Sequence, residues 1–289
     1  MHVFRRLAPL RQGPPGLNVD FITTRGSLAR ILNVLSGNVG GKVNKWTLLA
    51  TRFRGTVYLS HIEDDRTDKE LPPYVQKVCY WGKRFEVEIT KAPTQTTSLL
   101  GSSSAPPPEN EVKRHGPFDA YPGFYSVVRF ELENHRIALR AEIDAQTKEN
   151  PPSNYLELKV ATQNIISAPD PQIFNQKRLV PWWCQSIVSG TPRIVYGIRD
   201  YDGHVKSIEQ VKTDDIPDRV GQGNLNKDKY LLFLSKMLSW IKEIVCVEDV
   251  AAVYTFQWDS NTPGRGVTAT ARDASSFLPE WYVNEMNRK

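Results

Sequence analysis

Apolar and polar residues alternate with period two over two neighbouring stretches of the chain. In the first, Ile137, Leu139, Ala141, Ile143 and Ala145 alternate with Ala138, Arg140, Glu142 and Asp144. In the second, Leu156, Leu158 and Val160 alternate with Tyr155, Glu157, Lys159 and Ala161. This period predicts two strands, each with an apolar face and a charged face. The Pro, Asn and Ser content of QTKENPPSN between them predicts a loop. The simplest arrangement is an antiparallel pair whose register sets Asp144 opposite Glu157 and Glu142 opposite Lys159, all on one face. Facing carboxylates repel, and a divalent cation between them removes that objection, because hard cations take carboxylate oxygens. The lysine two residues on can hold a phosphate or an attacking water. The competing reading is a solvated, charged hairpin face.

The remaining pattern supplies the other elements. Phe21 to Leu35 predicts a short extended lead and then a helix, with Leu28, Ile31, Leu32 and Leu35 at helical spacing. Arg25 stands at the front of that helix, where a cation opposes the dipole; it is either a surface arginine or one that faces an anion. Residues 36–43 predict a loop, since no Ser or Thr follows Lys42 as a P-loop requires. Thr47–Arg54 and Thr56–His61 alternate around Gly55 as a hairpin, and the charge run 63–70 is solvated. Tyr74 to Ile89 has mixed periodicity, which fits a helix or a helix passing into a strand. Within it Glu86 is a candidate third carboxylate or one of many exposed glutamates.

Ser, Thr and Pro dominate residues 91–110, so a flexible insertion is expected over about 91–120. Tyr125–Leu132 is a strand leading into the first alternating stretch. Later, Ala168–Pro171 is a turn, and Leu179–Val188 is a helix starting near Pro181. Trp182 and Trp183 belong to its core face, and Gln185 is its polar exception. Arg193–Ile198 and Val205–Val211 are strands around a turn at Tyr201–Gly203. Asn226 or Asp228 caps a long helix to about Cys246, and Ala252–Trp258 is the last strand.

Composition narrows the class. The 289 residues hold 37 basic and 32 acidic side chains, a formal charge of +5, which is compatible with a nucleic-acid partner. Cys79, Cys184 and Cys246 are few and far apart, as in a reduced intracellular protein. No apolar run reaches membrane-spanning length, so no membrane partner is expected. Residues 1–19 are expected to be a basic, flexible N-terminus, and 20–289 a single domain. The five histidines show no metal-ligand spacing, and no GxSxG, CxxC or strand-following GxGxxG is present.

The two alternating stretches resemble the metal-dependent nucleases built on a D…(D/E)xK motif. In the order of its pieces the chain also resembles the decapping nuclease family usually called DXO, including the fungal nuclear members that associate with a 5′→3′ exoribonuclease. The match runs from about Asp20 to Trp258. The family's arginine motif falls on Arg25 in ITTRGSLARIL, and its Gly-x-x-Phe-Glu on Gly82 to Glu86. Its Glu-x-Asp falls on Glu142 to Asp144, its Glu-x-Lys on Glu157 to Lys159, and its Trp-x-Gln-Ser on WWCQS, which contains Gln185. The family carries a substantial section ahead of the arginine motif; only about two dozen residues precede Arg25 here, so that section is expected to be missing.

The resemblance implies an α/β (α+β) fold, with two mixed sheets packed together, flanking helices and an active cleft between them. It implies Mg²⁺ or Mn²⁺ held by Glu86, Glu142, Asp144, Glu157 and Leu158. Glu142, Asp144, Glu157 and Lys159 would be catalytic, with Lys159, Arg25 and Gln185 binding the RNA 5′ end. The activity implied is removal of pyrophosphate or of the cap dinucleotide, with or without 5′→3′ exonuclease action, in the nucleus or the cytoplasm. Two rival expectations are a stabilising partner of the exoribonuclease with little activity of its own, and a D…(D/E)xK DNA endonuclease.

Overall fold

A computed structural model of the chain describes residues 4–6, 18–37, 44–62, 71–90, 123–151, 153–170, 172–221, 223–273 and 276–288. In chain order the strands are β1 (Phe4–Arg6), β2 (Phe21–Thr24), β3 (Lys45–Phe53), β4 (Thr56–His61), β5 (Phe124–Leu132), β6 (His135–Ile143), β7 (Ala145–Gln146), β8 (Tyr155–Thr162), β9 (Arg193–Arg199), β10 (Val205–Lys212), β11 (Ala252–Asp259) and β12 (Thr268–Asp273). The helices are α1 (Arg25–Leu32), α2 (Pro73–Thr90), α3 (Gln163–Ile166), α4 (Gln172–Phe174), α5 (Val180–Ser189), α6 (Ile216–Val220), α7 (Lys227–Ile244) and α8 (Glu280–Asn287). A π-helical turn, Asn175–Leu179, joins α4 to α5.

Two mixed sheets result, as the family resemblance implies. The larger runs β1-β5-β6-β2-β4-β3-β11-β12, and the smaller β10-β9-β8-β7. In the larger sheet β2 is parallel to both neighbours, β4 and β6. In the smaller, β8 is parallel to β9 while its other pairs are antiparallel.

Local chemistry explains the ends of the elements. The β3–β4 turn places Arg54 and Gly55 at φ 51 and 78, the left-handed pair that a tight twisted hairpin requires. The Thr24 hydroxyl accepts the Ser27 N–H and starts α1 directly after β2, which fixes Arg25 as the first helical residue. The Asn226 side chain accepts the Lys229 N–H and starts α7. One contiguous core takes Phe21, Leu48, Leu139 and Phe256 from the larger sheet, Ile194 and Tyr196 from the smaller, and Leu28, Trp183 and Leu234 from α1, α5 and α7. Trp182 and Trp183 are both buried in it.

Several expectations need correction. The two alternating stretches do not form one hairpin. The expected register holds for Ala145 opposite Leu156 and Gln146 opposite Tyr155, and there the ladder ends. β6 belongs to the larger sheet and β8 to the smaller, so the chain changes sheet at Asp144. Tyr74 to Ile89 is helical throughout, and β12 follows the strand expected to be last. Within the N-terminal stretch expected to be flexible, Phe4–Arg6 forms an edge strand on β5. The loop over 38–43, the charge run 63–70 and the insertion lie outside the described residues.

Helix α2 packs on the smaller sheet with one fully buried side chain, Phe85. Its ring rests on Gly197 of β9, where a Cβ would come within 2.8 Å of it. Trp81 lies as closely against Gly203, which has φ +95. With so little apolar anchorage, α2 should open locally before the core does. Phe85→Ala should therefore cost about 3 kcal/mol at this contact and speed amide exchange over Pro73–Thr90 by about a hundredfold. Exchange in α7, followed by mass spectrometry, should be unchanged; equal acceleration there would refute independent opening of α2.

Candidate active site

The site forms at the seam where the chain crosses between sheets. Asp144 follows the last residue of β6 and precedes β7, and its Oδ2 accepts the main-chain N–H of Leu158 at 2.8 Å. That bond replaces the ladder that stops at Leu156. The alternation of β8 predicts Glu157 on a charged outer face, yet Glu157 has 0% exposure. Both of its oxygens are taken. Arg25 Nη1 donates to Oε2 at 2.5 Å, and Lys159 Nζ to Oε1 at 2.5 Å. The same Arg25 nitrogen reaches the main-chain carbonyl of Glu142 at 3.2 Å. Arg25 thus spans the seam, touching both β6 and β8. The anion that it faces is a protein carboxylate 132 residues away.

Two further acids face this centre. Glu86 is carried in by α2, one residue beyond the Phe85 anchor. Burial raises its carboxyl above the ordinary range; Lys159 pulls it down, and Glu142 and Glu157 push it up. Asp144 is raised to about 7, by burial first and then by Glu157, against the pull of Lys159 and the Leu158 N–H. Glu142 is exposed on β6, close to the backbone of Gly123, where a Cβ would approach its Oε1 to 2.9 Å.

The four acids are neighbours but not a closed cage. Among the described residues, the trio of acids or histidines whose ligand atoms fall within 4.8 Å of one another is Asp200, Asp202 and His204, a partly exposed turn that the histidine spacing did not suggest. There Asp200 is already bonded by Lys206 at 3.0 Å and His204 at 3.2 Å. At the seam, the two cations on Glu157 occupy the oxygens that a metal would share. The donor set is all oxygen, which suits a hard cation such as Mg²⁺ or Mn²⁺.

Of the other expected site residues, Leu158 lies at the seam through its main chain, with its side chain buried. Gln185 lies on α5, which packs against α1. Its amide oxygen is buried with no partner, and no bond joins it to the cluster. Beside Asp144 a cavity of about 570 Å³ opens, lined among others by Phe124, Gln146, Leu156 and Val195. Sequence reasoning missed this cavity, because its walls come from α2, β5, β7, β8 and β9.

The raised Asp144 carboxyl gives a signed pH dependence. Between about 4 and about 7 the folded protein holds a proton on Asp144 that the unfolded chain has lost. Metal-free stability should therefore fall as pH rises through that window, and Asp144→Asn should flatten the fall and raise Tm at pH 8. Mn²⁺ affinity should rise over the same window with release of a proton. Calorimetry in two buffers of different ionisation heat measures that release; a metal-free Tm at pH 8 unmoved by Asp144→Asn would contradict the assignment.

Comparison with known proteins agrees with this architecture. Residues 2–283 match the family model described as RAI1-like PD-(D/E)XK nuclease. The chain is 33% identical over 279 residues to the decapping and exoribonuclease protein of Xenopus laevis, covering 93% of this chain and 64% of that protein. It is 30% identical over 290 residues to the human decapping and exoribonuclease protein, covering 96% and 68%. Its identity to the decapping nuclease RAI1 of Aspergillus fumigatus is 26% over 239 residues, covering 78% and 62%. The chain thus spans about two thirds of the length of these relatives. In fold it resembles Scheffersomyces stipitis Rai1, with a TM-score of 0.71 at 19% identity over 95% of this chain and 76% of that one. Candida albicans Rai1, solved in complex with pU5 and Mn²⁺, gives 0.70 at 21% identity over 94% and 75%. From the extent of the family match, the chain belongs to the RAI1-like PD-(D/E)XK nucleases.

Proposed function

We propose that the chain is a divalent-metal-dependent hydrolase acting on the 5′ end of RNA. It would release pyrophosphate from 5′-triphosphate ends or the cap dinucleotide from incompletely capped ends, with or without 5′→3′ exonuclease action. One observation carries this reading: Asp144, Glu157 and Lys159 meet at the seam with Glu86 and Glu142 around them, and burial, then the Glu157 carboxylate, raises Asp144 to about 7. Names of relatives point the same way, as decapping and exoribonuclease proteins, and one fungal relative was solved with an oligonucleotide and Mn²⁺.

Glu86, Glu142, Asp144, Glu157 and the Leu158 main chain would hold the metal. Bound there, it would lower the pKa of a water and neutralise charge growing on the phosphate. The chain's own groups do the rest. Lys159 sits beside Glu157 and can turn its ammonium to a phosphate oxygen or the nucleophile. Arg25 can exchange Glu157 for a 5′ phosphate, which its planar fork fits better than an ammonium would. Gln185 would be a second grip on the 5′ end, donating from its amide nitrogen. Nuclear or cytoplasmic residence and association with a nuclear 5′→3′ exoribonuclease are part of the same proposal and rest on the likeness to fungal RAI1 proteins. So does treating 20–289 as one domain, which the core shared by both sheets supports.

The test is incubation of 5′-triphosphate and capped RNA with the chain and Mg²⁺ or Mn²⁺. Pyrophosphate, cap dinucleotide or mononucleotides should appear and should vanish with a chelator. Asp144→Asn should lower kcat by more than about a hundredfold, as loss of a metal ligand does. Lys159→Ala should lower kcat by about a hundredfold with little change in KM, because its contact strengthens in the transition state. No product from folded protein, or cleavage of duplex DNA instead, would overturn the reading.

A further inference from the structure

The sheet face that carries Glu142 continues away from the seam. β5 and β6 pair antiparallel, with Tyr125 opposite Glu142 and Val127 opposite Arg140. Paired residues share a face, and alternation sets these four on the side away from the buried Leu139, Ala141 and Phe130. Arg140 is exposed, and its guanidinium carbon lies 4.6 Å from the centre of the Tyr125 ring. Among the described residues no carboxylate bonds to it. Tyr125 remains 47% exposed and Val127 71%. The face thus presents an aromatic ring open to solvent, with a cation fixed against it and no protein anion to balance that cation.

This pair adjoins the acids of the seam. Gly123 lies against both Glu142 and Tyr125: a Cβ there would come within 2.9 Å of Glu142 Oε1 and 3.2 Å of Tyr125 Cε2. Arg140 stands two residues before Glu142 on β6, about 7 Å along the strand, a distance that one extended nucleotide covers. On its other side Arg140 is paired with Thr24, the residue before Arg25. The patch is therefore bordered by two groups of the seam, Glu142 and Arg25, and no change of sheet face separates it from Glu142.

We propose that this face is the path on which the RNA strand leaves the seam, with Tyr125 stacking a base just downstream of the 5′ end and Arg140 holding the neighbouring backbone phosphate. The proposal rests on the RNA reading above and extends it past the reacting end. Single strands alternate phosphate and base, and an aromatic face beside a guanidinium answers both. The planar fork of Arg140 suits phosphate oxygens while its flat side stays against the ring. The position beside Glu142 makes the continuation of the bound strand the nearest ligand.

The test uses the full chain in the Asp144→Asn background, which blocks turnover. Binding is measured over a range of salt for adenosine 5′-monophosphate, a 5′-phosphorylated adenosine octanucleotide, and the same octanucleotide made abasic after its first residue. Tyr125→Ala should weaken binding of the intact octanucleotide about tenfold and leave the abasic strand unaffected, and Tyr125→Phe should retain the affinity. Arg140→Ala should weaken both octanucleotides about tenfold and lower the salt slope by about one. Neither variant should change monophosphate binding, and Tm should stay level because both side chains are exposed. A pair with a purely structural role would lower Tm and leave octanucleotide binding untouched, which overturns the path. Equal weakening of monophosphate and octanucleotide overturns it as well, and equal weakening of intact and abasic strands by Tyr125→Ala overturns the stacking. Failure of the hydrolase reading is distinct: it shows as absence of product from the unmutated chain while these length-dependent losses persist. Absence of octanucleotide binding by the folded parent overturns both.

Discussion

The structure turns on one buried charge. Glu157 has no exposure, and a carboxylate in such a place persists only with partners for its oxygens. Arg25 supplies one partner from the helix that leaves the middle of the larger sheet, and Lys159 supplies the other from the same strand. Removing either would leave one buried carboxylate oxygen without its partner. The bond to Arg25 also joins the sheets, because its two acceptors lie on β6 and β8. What holds the fold at the seam is thus the group set on which the proposed chemistry would depend.

This double use explains why the acids are close without being a cage. Without a metal, Glu157 is satisfied by cations, Asp144 by a main-chain N–H and a raised proton affinity, and Glu86 by a proton affinity that burial raises and by the pull of Lys159. Each acid has a separate way of tolerating the others. A dication held by these acids would replace such arrangements with one stronger interaction and would leave Arg25 and Lys159 able to face a phosphate.

Much of this was legible in the sequence, for physical reasons. Period-two alternation marks β6 and β8 because both have one face in the core. The spacing of Leu28, Ile31 and Leu32 marks α1, and the preference of Asn for the first cap position marks α7. The register at Ala145 and Leu156 also follows from the alternation. The change of sheet at Asp144 does not, because a pleated strand reads the same whichever sheet receives it. α2 was ambiguous because only Phe85 is fully buried, so no apolar stripe announces a helix. The Arg25–Glu157 pair is invisible to any local rule, being a contact across 132 residues. Among the site residues, Asp144, Glu157 and Lys159 could be found by alternation, whereas Arg25, Glu86 and Gln185 stood out only through the family resemblance.

The position of β2 has a consequence for how the molecule folds. Within the larger sheet this four-residue strand lies between the β5–β6 hairpin and the β4-β3-β11-β12 half, and it is parallel to both neighbours. Parallel pairing allows no tight turn, and the Asp20–Arg136 bonds at its base close a loop of 116 residues. The local hairpins β3–β4 and β5–β6 can form early, but the sheet closes only when β2 finds its slot, a slow step by its high contact order. Since Arg25 follows β2 directly, its bond to Glu157 forms at that same moment, whereas Lys159 reaches Glu157 within β8 alone. A nascent chain therefore carries Glu157 with its lysine alone, and the bond that ties β8 to β6 through Arg25 comes only once the last large loop has closed.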